Sequence, residues 1–256
     1  MPSAATAPIS SDAQDQRGRA LLDQMVTALG GQAWLDCKDV RMDGHTASFF
    51  HGQPTTSVDF TLYRSFANNS HGEEDRVVFA TPRMFLHGEL RDVAQVWTAD
   101  QGWEITYKGK TALPRDQVED YLRRRSHSIE AVIHTWLKQP GVMVLAEGTD
   151  MVERRLADKI TVLSANNDAV TIELDQNTHL PLRRTFQWRN NTFQDHDEDV
   201  ETYDDWHPVD GFPTALNVTR YHNGDMANQR FYTKARYNTD LSPELFNPDN
   251  LLKKKR

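Results

Sequence analysis

The chain has 256 residues, of which 38% are hydrophobic and 26% charged, and this is enough apolar material for one large domain with a sizeable core. Its formal net charge of −8 argues against nucleic-acid binding, because proteins that bind nucleic acid present a basic face to the phosphates. No apolar run is long enough to span a bilayer, so we expect no integral membrane segment.

The two ends of the chain differ in composition from the middle. Residues 1–13 are rich in Ala, Ser and Pro and lack the cationic start and apolar centre of a secretory signal, so we predict a disordered leader. Residues 249–256 are predicted to form a basic tail, which leaves a single domain over residues 14–248. The only cysteine, Cys37, permits no internal disulfide and is interpreted as a half-buried thiol without a catalytic role.

Two regions have helical periodicity. In residues 12–29 the apolar side chains recur at steps of three and four, and Gly30 and Gly31 end the pattern. Residues 115–138 have the same spacing but a polar middle, RRRSHS. This predicts either two helical segments that meet near Ser126 or one helix whose middle faces solvent.

Most of the remaining chain alternates with period two between turns rich in Asn, Asp and Gly. Strands grouped apart from helices and joined by hairpin-length links indicate an α+β fold. We predict a large curved antiparallel sheet that forms an incomplete β-barrel, with helices covering the concave opening. The predicted strands are 40–50, 57–63, 75–79, 95–98, 103–107, 142–147, 154–163, 169–174, 181–188, 193–203, 214–221 and 230–237.

The segment 194–220, QDHDEDVETYDDWHPVDGFPTALNVTR, has the densest set of acidic and histidine side chains. Clustered carboxylates suit hard cations, which makes a metal site one interpretation. On a strand, however, Asp195, Asp197, Asp199 and Glu201 share one face, so we interpret them as a solvent-facing row and predict no metal site. Residues 204–213 are predicted to be a turn, in which Pro208 and Pro213 stand outside any central ladder.

No phosphate-binding loop, GxSxG elbow or HExxH motif is present in the sequence, so we predict no catalytic residues and no cofactor. A curled sheet too large for its own side chains to fill would enclose an apolar cavity suited to a hydrophobic ligand. Ordinary core packing is the alternative interpretation of the apolar strand residues and of the tryptophan that ends the second helical region. The candidate ligand-binding residues are Phe60, Leu62, Trp97, Trp103, Ile105, Trp136, Phe186 and Trp188.

Three segments carry a resemblance to a known family: ALGGQAWLDCKDVRMDG (28–44), VWTADQGWEI (96–105) and TYDDWHPVDGFPTALNV (202–218). They resemble, in turn, the opening helix with its double glycine and first strand, a recurrent Asp-Gly-Trp hairpin, and a strand-turn-strand unit of the outer membrane lipoprotein-sorting proteins. This group includes LolA and LolB, lipoproteins of the LppX and LprG type, and the N-terminal domain of RseB. The likeness extends from about residue 14 to residue 248.

The resemblance implies an incomplete barrel that receives acyl chains in a bacterial cell envelope. The expected function is therefore a non-enzymatic periplasmic carrier or chaperone for a hydrophobic small molecule or a lipoprotein acyl chain, with another envelope protein as a further partner. For the periplasm, the chain would be the mature form, since no signal peptide is present in it. Two alternatives stay open: an envelope sensor or protein-interaction module, and a hydrolase or lyase that acts on a lipid or glycan inside the cavity.

Overall fold

The computed structural model describes residues 11–66, 72–82, 89–190, 192 and 195–253. The first ten residues of the predicted leader and the last three of the predicted basic tail lie outside the described residues. Within the described part of the chain, no helix is long and apolar enough to cross a membrane.

The described residues form four α-helices and two short 3₁₀ turns. The second helical region divides at residues 127–128, which agrees with the first of the two predicted alternatives, two segments that meet near Ser126. Ser128 begins the second of these helices, because its side chain accepts a hydrogen bond from the Ala131 amide at 3.1 Å. The helices are α1 (Ser11–Leu29), α2 (Gln32–Leu35), α3 (Arg115–Ser126) and α4 (Ile129–His134), and the 3₁₀ turns are Trp136–Lys138 and Pro243–Leu245.

All thirteen strands in the described part of the chain belong to one antiparallel sheet that does not close, and this confirms the predicted fold class. Neighbours in sequence are neighbours in the sheet, except for β6 and β7, and β1 also pairs with β13. The edges are therefore β6, which was not predicted, and β7. The strands are β1 (Asp39–Phe50), β2 (Gln53–Ser65), β3 (Glu74–Pro82), β4 (Glu89–Trp97), β5 (Gly102–Thr106), β6 (Lys110–Ala112), β7 (Met143–Val152), β8 (Arg155–Leu163), β9 (Ala169–Asp175), β10 (Pro181–Asn190), β11 (Asp195–Val209), β12 (Phe212–His222) and β13 (Asp225–Tyr237).

The predicted turn at residues 204–213 is mostly strand. β11 continues to Val209, and Pro208 lies opposite Pro213 in the ladder with β12. The prolines are tolerated because β10 pairs with β11 only as far as Thr202, while β13 pairs with β12 only from Asn217 onward. The tip of this hairpin thus projects beyond the flanking strands, where no third strand needs the missing amide protons.

Helices fill one half of the concave face of the sheet. The apolar stripe of α1 and the residues of α4 pack on strands β7 to β10. The start of α1 also covers part of the β7 edge, because Asp15 accepts a hydrogen bond from the Val144 amide at 2.8 Å and Arg19 donates to the Val142 carbonyl at 3.2 Å. The fully buried members of this core are Leu22, Met25, Val132, Val144, Ile160, Val162, Val170, Ile172 and Leu174.

Candidate functional site: a cavity beneath the helices

The other half of the concave face is not filled by α1, and a cavity of about 400 Å³ lies there. Its floor is made by β1 to β4 and β10 to β13, and its roof by α3 and α4. This volume falls within the range of about 300–1,000 Å³ that is common for small-molecule sites.

One side of the cavity, which we call the apolar wall, is hydrophobic. Phe60 and Leu62 on β2 are 3% and 5% exposed, and the edge of the Phe60 ring meets Tyr232 with 5.8 Å between ring centroids. Side chains on β1, β3 and β12 extend the same surface because their strands are in register with β2 and β13. The apolar wall consists of Met42, Phe60, Leu62, Val77, Phe79, Val218 and Tyr232.

Next to the apolar wall lies a group of buried ion pairs. Arg184, which is 1% exposed, donates from Nη2 to Asp199 at 3.3 Å and to Glu201 at 3.2 Å. Arg220 donates from Nε to the other oxygen of Asp199 at 2.6 Å. The Tyr203 hydroxyl donates to Glu201 at 2.9 Å, so that both carboxylates have several partners.

These contacts correct the interpretation of the acidic row on β11. Asp195 is exposed, but the Asp199 side chain is 0% exposed and Glu201 lines the cavity. The prediction that these acids share one face of the strand was right, but the prediction that this face is exposed to solvent was wrong. Helix α3 and the arginines of β10 and β12 cover the end of the row that holds Asp199 and Glu201. Burial alone would raise the pKa of Glu201, but the charges of Arg184 and Arg230 lower it to about 2.

A second set of contacts, which we call the α3 clamp, holds helix α3 over the cavity. Asp75 accepts two hydrogen bonds of 2.8 Å from Arg64 and one from the Tyr121 hydroxyl of α3. The Tyr121 ring stacks on Trp97 with 3.9 Å between centroids. Arg125 donates to backbone carbonyls of residues 73 and 99 at 2.9 and 2.8 Å, which ties the same helix to the loops beside β3 and β4.

Glu73 lies beside the α3 clamp with 14% of its side chain exposed and 3.5 Å from Arg64. Burial raises its pKa to about 7, and the negative charge of Asp75 adds to the effect, while Arg64 opposes it. The folded protein therefore binds a proton here that the unfolded chain releases near the ordinary pKa of 4.5. Any stability gained from that proton is present at low pH and is lost as the pH rises to about 7.

Glu73→Gln is expected to raise the free energy of unfolding by about 1–3 kcal/mol at pH 8, because it removes a carboxylate that is charged at a cost in the folded state. The gain should shrink at pH 5 and vanish near pH 4, where the wild-type group is protonated in both states. Urea denaturation of both proteins at the three pH values measures it. Glu119→Gln, at a side chain that is 52% exposed, is the control, and an equal gain at every pH would contradict the prediction.

Three of the candidate ligand-binding residues, Phe60, Leu62 and Trp97, line the cavity. Trp103 and Ile105 lie on the opposite face of the sheet. Trp97 pairs with the glycine that precedes Trp103, so the register of the β4–β5 hairpin turns the two tryptophans to opposite sides. The C-terminal segment contacts this outer face, where Arg76 donates to the Leu245 carbonyl at 2.8 Å.

The remaining three candidates face inward but are covered by the helices. Phe186 is 2% exposed and stacks on His127, at the junction of α3 and α4, with 4.2 Å between centroids. Trp188 lies under Arg123 of α3, whose guanidinium is 4.6 Å from the ring centroid. Trp136 donates from Nε1 to the backbone carbonyl of residue 126 at 3.1 Å and packs in the core.

Cys37 is more buried than expected, at 5% exposure, and lines the cavity near Leu29 and Trp34. Burial raises the pKa of its thiol to about 11, so the thiolate needed for nucleophilic chemistry is disfavoured. Within the described ranges, no three His, Cys, Asp or Glu side chains are placed to hold a metal ion.

Comparisons with known proteins show the fold. No family model and no curated protein matches the chain. Among solved structures, a DUF1329 family protein from Desulfovibrio piger superposes with a TM-score of 0.61 and 13% identity over 91% of this chain and 97% of its own. A domain from Vibrio parahaemolyticus that is assigned to the outer membrane lipoprotein-sorting proteins superposes with a TM-score of 0.58 and 12% identity, over 91% of this chain and 97% of its own.

A LolA superfamily protein from Nitrosomonas europaea superposes with a TM-score of 0.51 and 11% identity, over 90% of this chain and 96% of its own. Each of the three structures is covered almost completely, and at least 90% of this chain is matched in each comparison. The resemblance inferred from the three sequence segments is thus confirmed at the level of the fold, which is the LolA-like half-barrel.

Proposed function

We propose that the protein is a non-enzymatic carrier that holds a hydrophobic ligand, such as the acyl chain of a lipid or lipoprotein, in the cavity under α3 and α4. The observation that carries the proposal is the continuous apolar wall inside a cavity of about 400 Å³. Each methylene group that moves from water onto such a wall contributes about 0.8 kcal/mol to the free energy of binding. The likeness in fold to a lipoprotein-sorting domain supports a place of action in the periplasm.

The test is displacement of a fluorescent hexadecanoic acid, together with native mass spectrometry of the purified protein. Val77→Trp places an indole ring on the apolar wall and is expected to weaken binding about tenfold or more, because it occupies space that the chain needs. Leu156→Trp, at a side chain that is 53% exposed outside the cavity, is the matched control and should bind as the wild type does. Equal binding by both variants, with both shown to be folded by circular dichroism, would place the ligand elsewhere.

The raised pKa of Glu73 favours the alternative function, an enzyme that acts in the same cavity. A carboxyl group whose pKa is raised to about 7 can serve as a general acid or base near neutral pH. It also has a structural explanation, since the group is buried beside the α3 clamp. Mass spectrometry of bound lipid esters and glycolipids after long incubation separates the two functions: intact ligand supports the carrier, and cleavage that Glu73→Gln abolishes supports the enzyme.

A further inference from the structure

The cavity has a charged side as well as an apolar wall. Of the five arginines in the described chain that line it, Arg64 and Arg125 belong to the α3 clamp, and the other three come from different elements. Arg124 projects from α3, Arg184 from β10 and Arg230 from β13. Across the sheet, Arg230 lies opposite Val218 of the apolar wall, and Tyr232 of that wall follows it on the same face of β13. A ligand in the cavity therefore contacts the cationic and the hydrophobic surface at once.

Arg184 has donors that the protein does not use. Its Nη2 binds Asp199 and Glu201, but Nε and Nη1 are buried and have no hydrogen-bond partner among the described residues. Buried guanidinium donors are almost always paired in folded proteins, because leaving them unpaired is costly. Arg184 is 1% exposed and lines the cavity, so a ligand there is the natural source of acceptors.

The ion pairs around Arg184 leave positive charge in excess. Arg124 and Arg220 share Asp120, and Arg184 and Arg220 share Asp199, with Glu201 as the third carboxylate. Arg230 brings a fourth guanidinium to these three acids; its charge lowers the pKa of Glu201, and Tyr232 and Glu201 oppose burial and raise the pKa of Arg230.

The surroundings of Arg124 also disfavour its charged form. Burial lowers the pKa of Arg124, and the neighbouring charge of Arg220 lowers it further. Glu130 also lines the cavity, but it belongs to α4, where it faces His134. The Arg64 guanidinium is already satisfied by Asp75 in the α3 clamp. Among the described residues, Arg184 thus keeps two donors without a partner, and Arg230 forms no ion pair.

Arginine is the side chain best suited to a carboxylate or a phosphate, because its planar donors match two oxygens of the anion. We propose that Arg184 and Arg230 bind the acidic headgroup of an amphiphile whose single apolar tail lies along the apolar wall. The ligand class is a carboxylate or phosphate monoester with a hydrocarbon chain. This inference rests on the proposed carrier function and specifies its ligand.

The test compares ligands that share a tail and differ in the head. Dodecyl phosphate and dodecanoate are expected to bind about tenfold or more tightly than dodecanol in isothermal titration calorimetry, since only the anions use the free arginine donors. Equal affinity for dodecyl phosphate and dodecanol overturns the headgroup site and leaves the carrier intact. If no dodecyl compound binds, the carrier itself fails.

Titration with inorganic phosphate alone distinguishes two sources of the bound anion, a free phosphate and the headgroup of an amphiphile. Much weaker binding than that of dodecyl phosphate supports an amphiphile. Binding as tight as that of dodecyl phosphate means that the tail contributes nothing, and it overturns the proposed ligand class.

Variants locate the site. Arg230→Gln should reduce the preference for dodecyl phosphate over dodecanol to about twofold or less, and Arg230→Lys should restore part of the preference. Arg155→Gln, which removes an exposed arginine paired with Asp204 outside the cavity, should keep the full preference. An unchanged preference in Arg230→Gln overturns the assignment.

If that variant does not fold, Glu201→Gln is used instead. This substitution frees Arg184 and Arg230 from a carboxylate and should increase the preference for dodecyl phosphate over dodecanol. If the preference does not increase, the result counts against the headgroup site.

Discussion

Replacement of Asp75 by alanine is expected to lower the free energy of unfolding by about 3–5 kcal/mol at pH 7, which is the usual cost of removing one partner from a buried ion pair. Asp75 is 1% exposed and accepts both hydrogen bonds of Arg64 and the one from Tyr121. Alanine would leave the Arg64 guanidinium without its two shortest contacts in the same buried position. Urea denaturation followed by tryptophan fluorescence measures the change.

The pH dependence of this effect identifies its cause. Burial alone would raise the pKa of Asp75, but Arg64 and the hydroxyl of Tyr121 lower it below the ordinary value of 3.8. A lowered pKa stabilises the folded state above the pKa of the unfolded chain, and this stability is lost as the pH falls through the folded value. The difference between wild type and Asp75→Ala should therefore be full at pH 7 and decrease below about pH 3.8.

Two further variants separate the ion pair from the rest of the α3 clamp. Tyr121→Phe keeps the stacking on Trp97 and loses only one hydrogen bond, so it should cost about 1 kcal/mol. Glu119→Ala breaks the exposed pair with Arg115 on the same helix and should cost less than about 0.5 kcal/mol. If Asp75→Ala were no more destabilising than Glu119→Ala, the clamp would not hold α3. Faster amide exchange in α3 of Asp75→Ala alone is the accompanying signature.

The fold was largely predictable because its signals are local. Alternation with period two and Asn, Asp or Gly turns predicted twelve of the thirteen strands, and helical spacing predicted α1, α3 and α4. The strand that was missed, β6, has only three residues, all exposed, so that it has no buried row from which a period could be recognised. The closing of β1 onto β13 joins segments almost two hundred residues apart, and no local pattern encodes such a pairing.

The cavity was less predictable, because which inward residues remain uncovered depends on where the helices lie. Phe60 and Phe186 both occupy inward positions of strands, and periodicity cannot tell them apart. Phe186 is covered by His127, whereas Phe60 lines the cavity. For Trp103 a usable signal was present: with Trp97 and Gly102 opposite each other in a hairpin, Trp103 must face the other side.

The charged side of the cavity also had a signal in the sequence. Arg184, Phe186 and Trp188 are two residues apart along β10 and therefore share one face of the strand. An arginine on the same face as two inward aromatic residues is itself expected to be buried. Opposite it, Glu201 belongs to a row of acids that looks solvated when one strand is considered alone. Only the pairing of the two strands shows that the acids and the arginine neutralise each other inside the fold.

Glu201→Gln tests this correction directly. If Glu201 belonged to a solvent-facing row, its replacement by glutamine would change the free energy of unfolding by less than about 0.5 kcal/mol. In the structure the Glu201 side chain is 23% exposed, binds Arg184 and Tyr203, and has a pKa lowered to about 2, since the charges of Arg184 and Arg230 outweigh burial. From the ordinary value of 4.5 this shift corresponds to about 2–3 kcal/mol of stability at pH 7, which the glutamine variant should lose.

The loss should follow the titration of the carboxyl group. Its contribution is complete above about pH 4.5 and disappears as the pH falls toward 2, so the unfolding curves of Glu201→Gln and wild type should converge in acid. Asp195→Asn, at the exposed beginning of the same strand and on the same face, is the matched control and should be neutral throughout. Equal effects of the two substitutions at pH 7 would restore the solvent-facing row and remove the charged side of the cavity, whereas a large effect at Glu201 alone places that charge inside the fold.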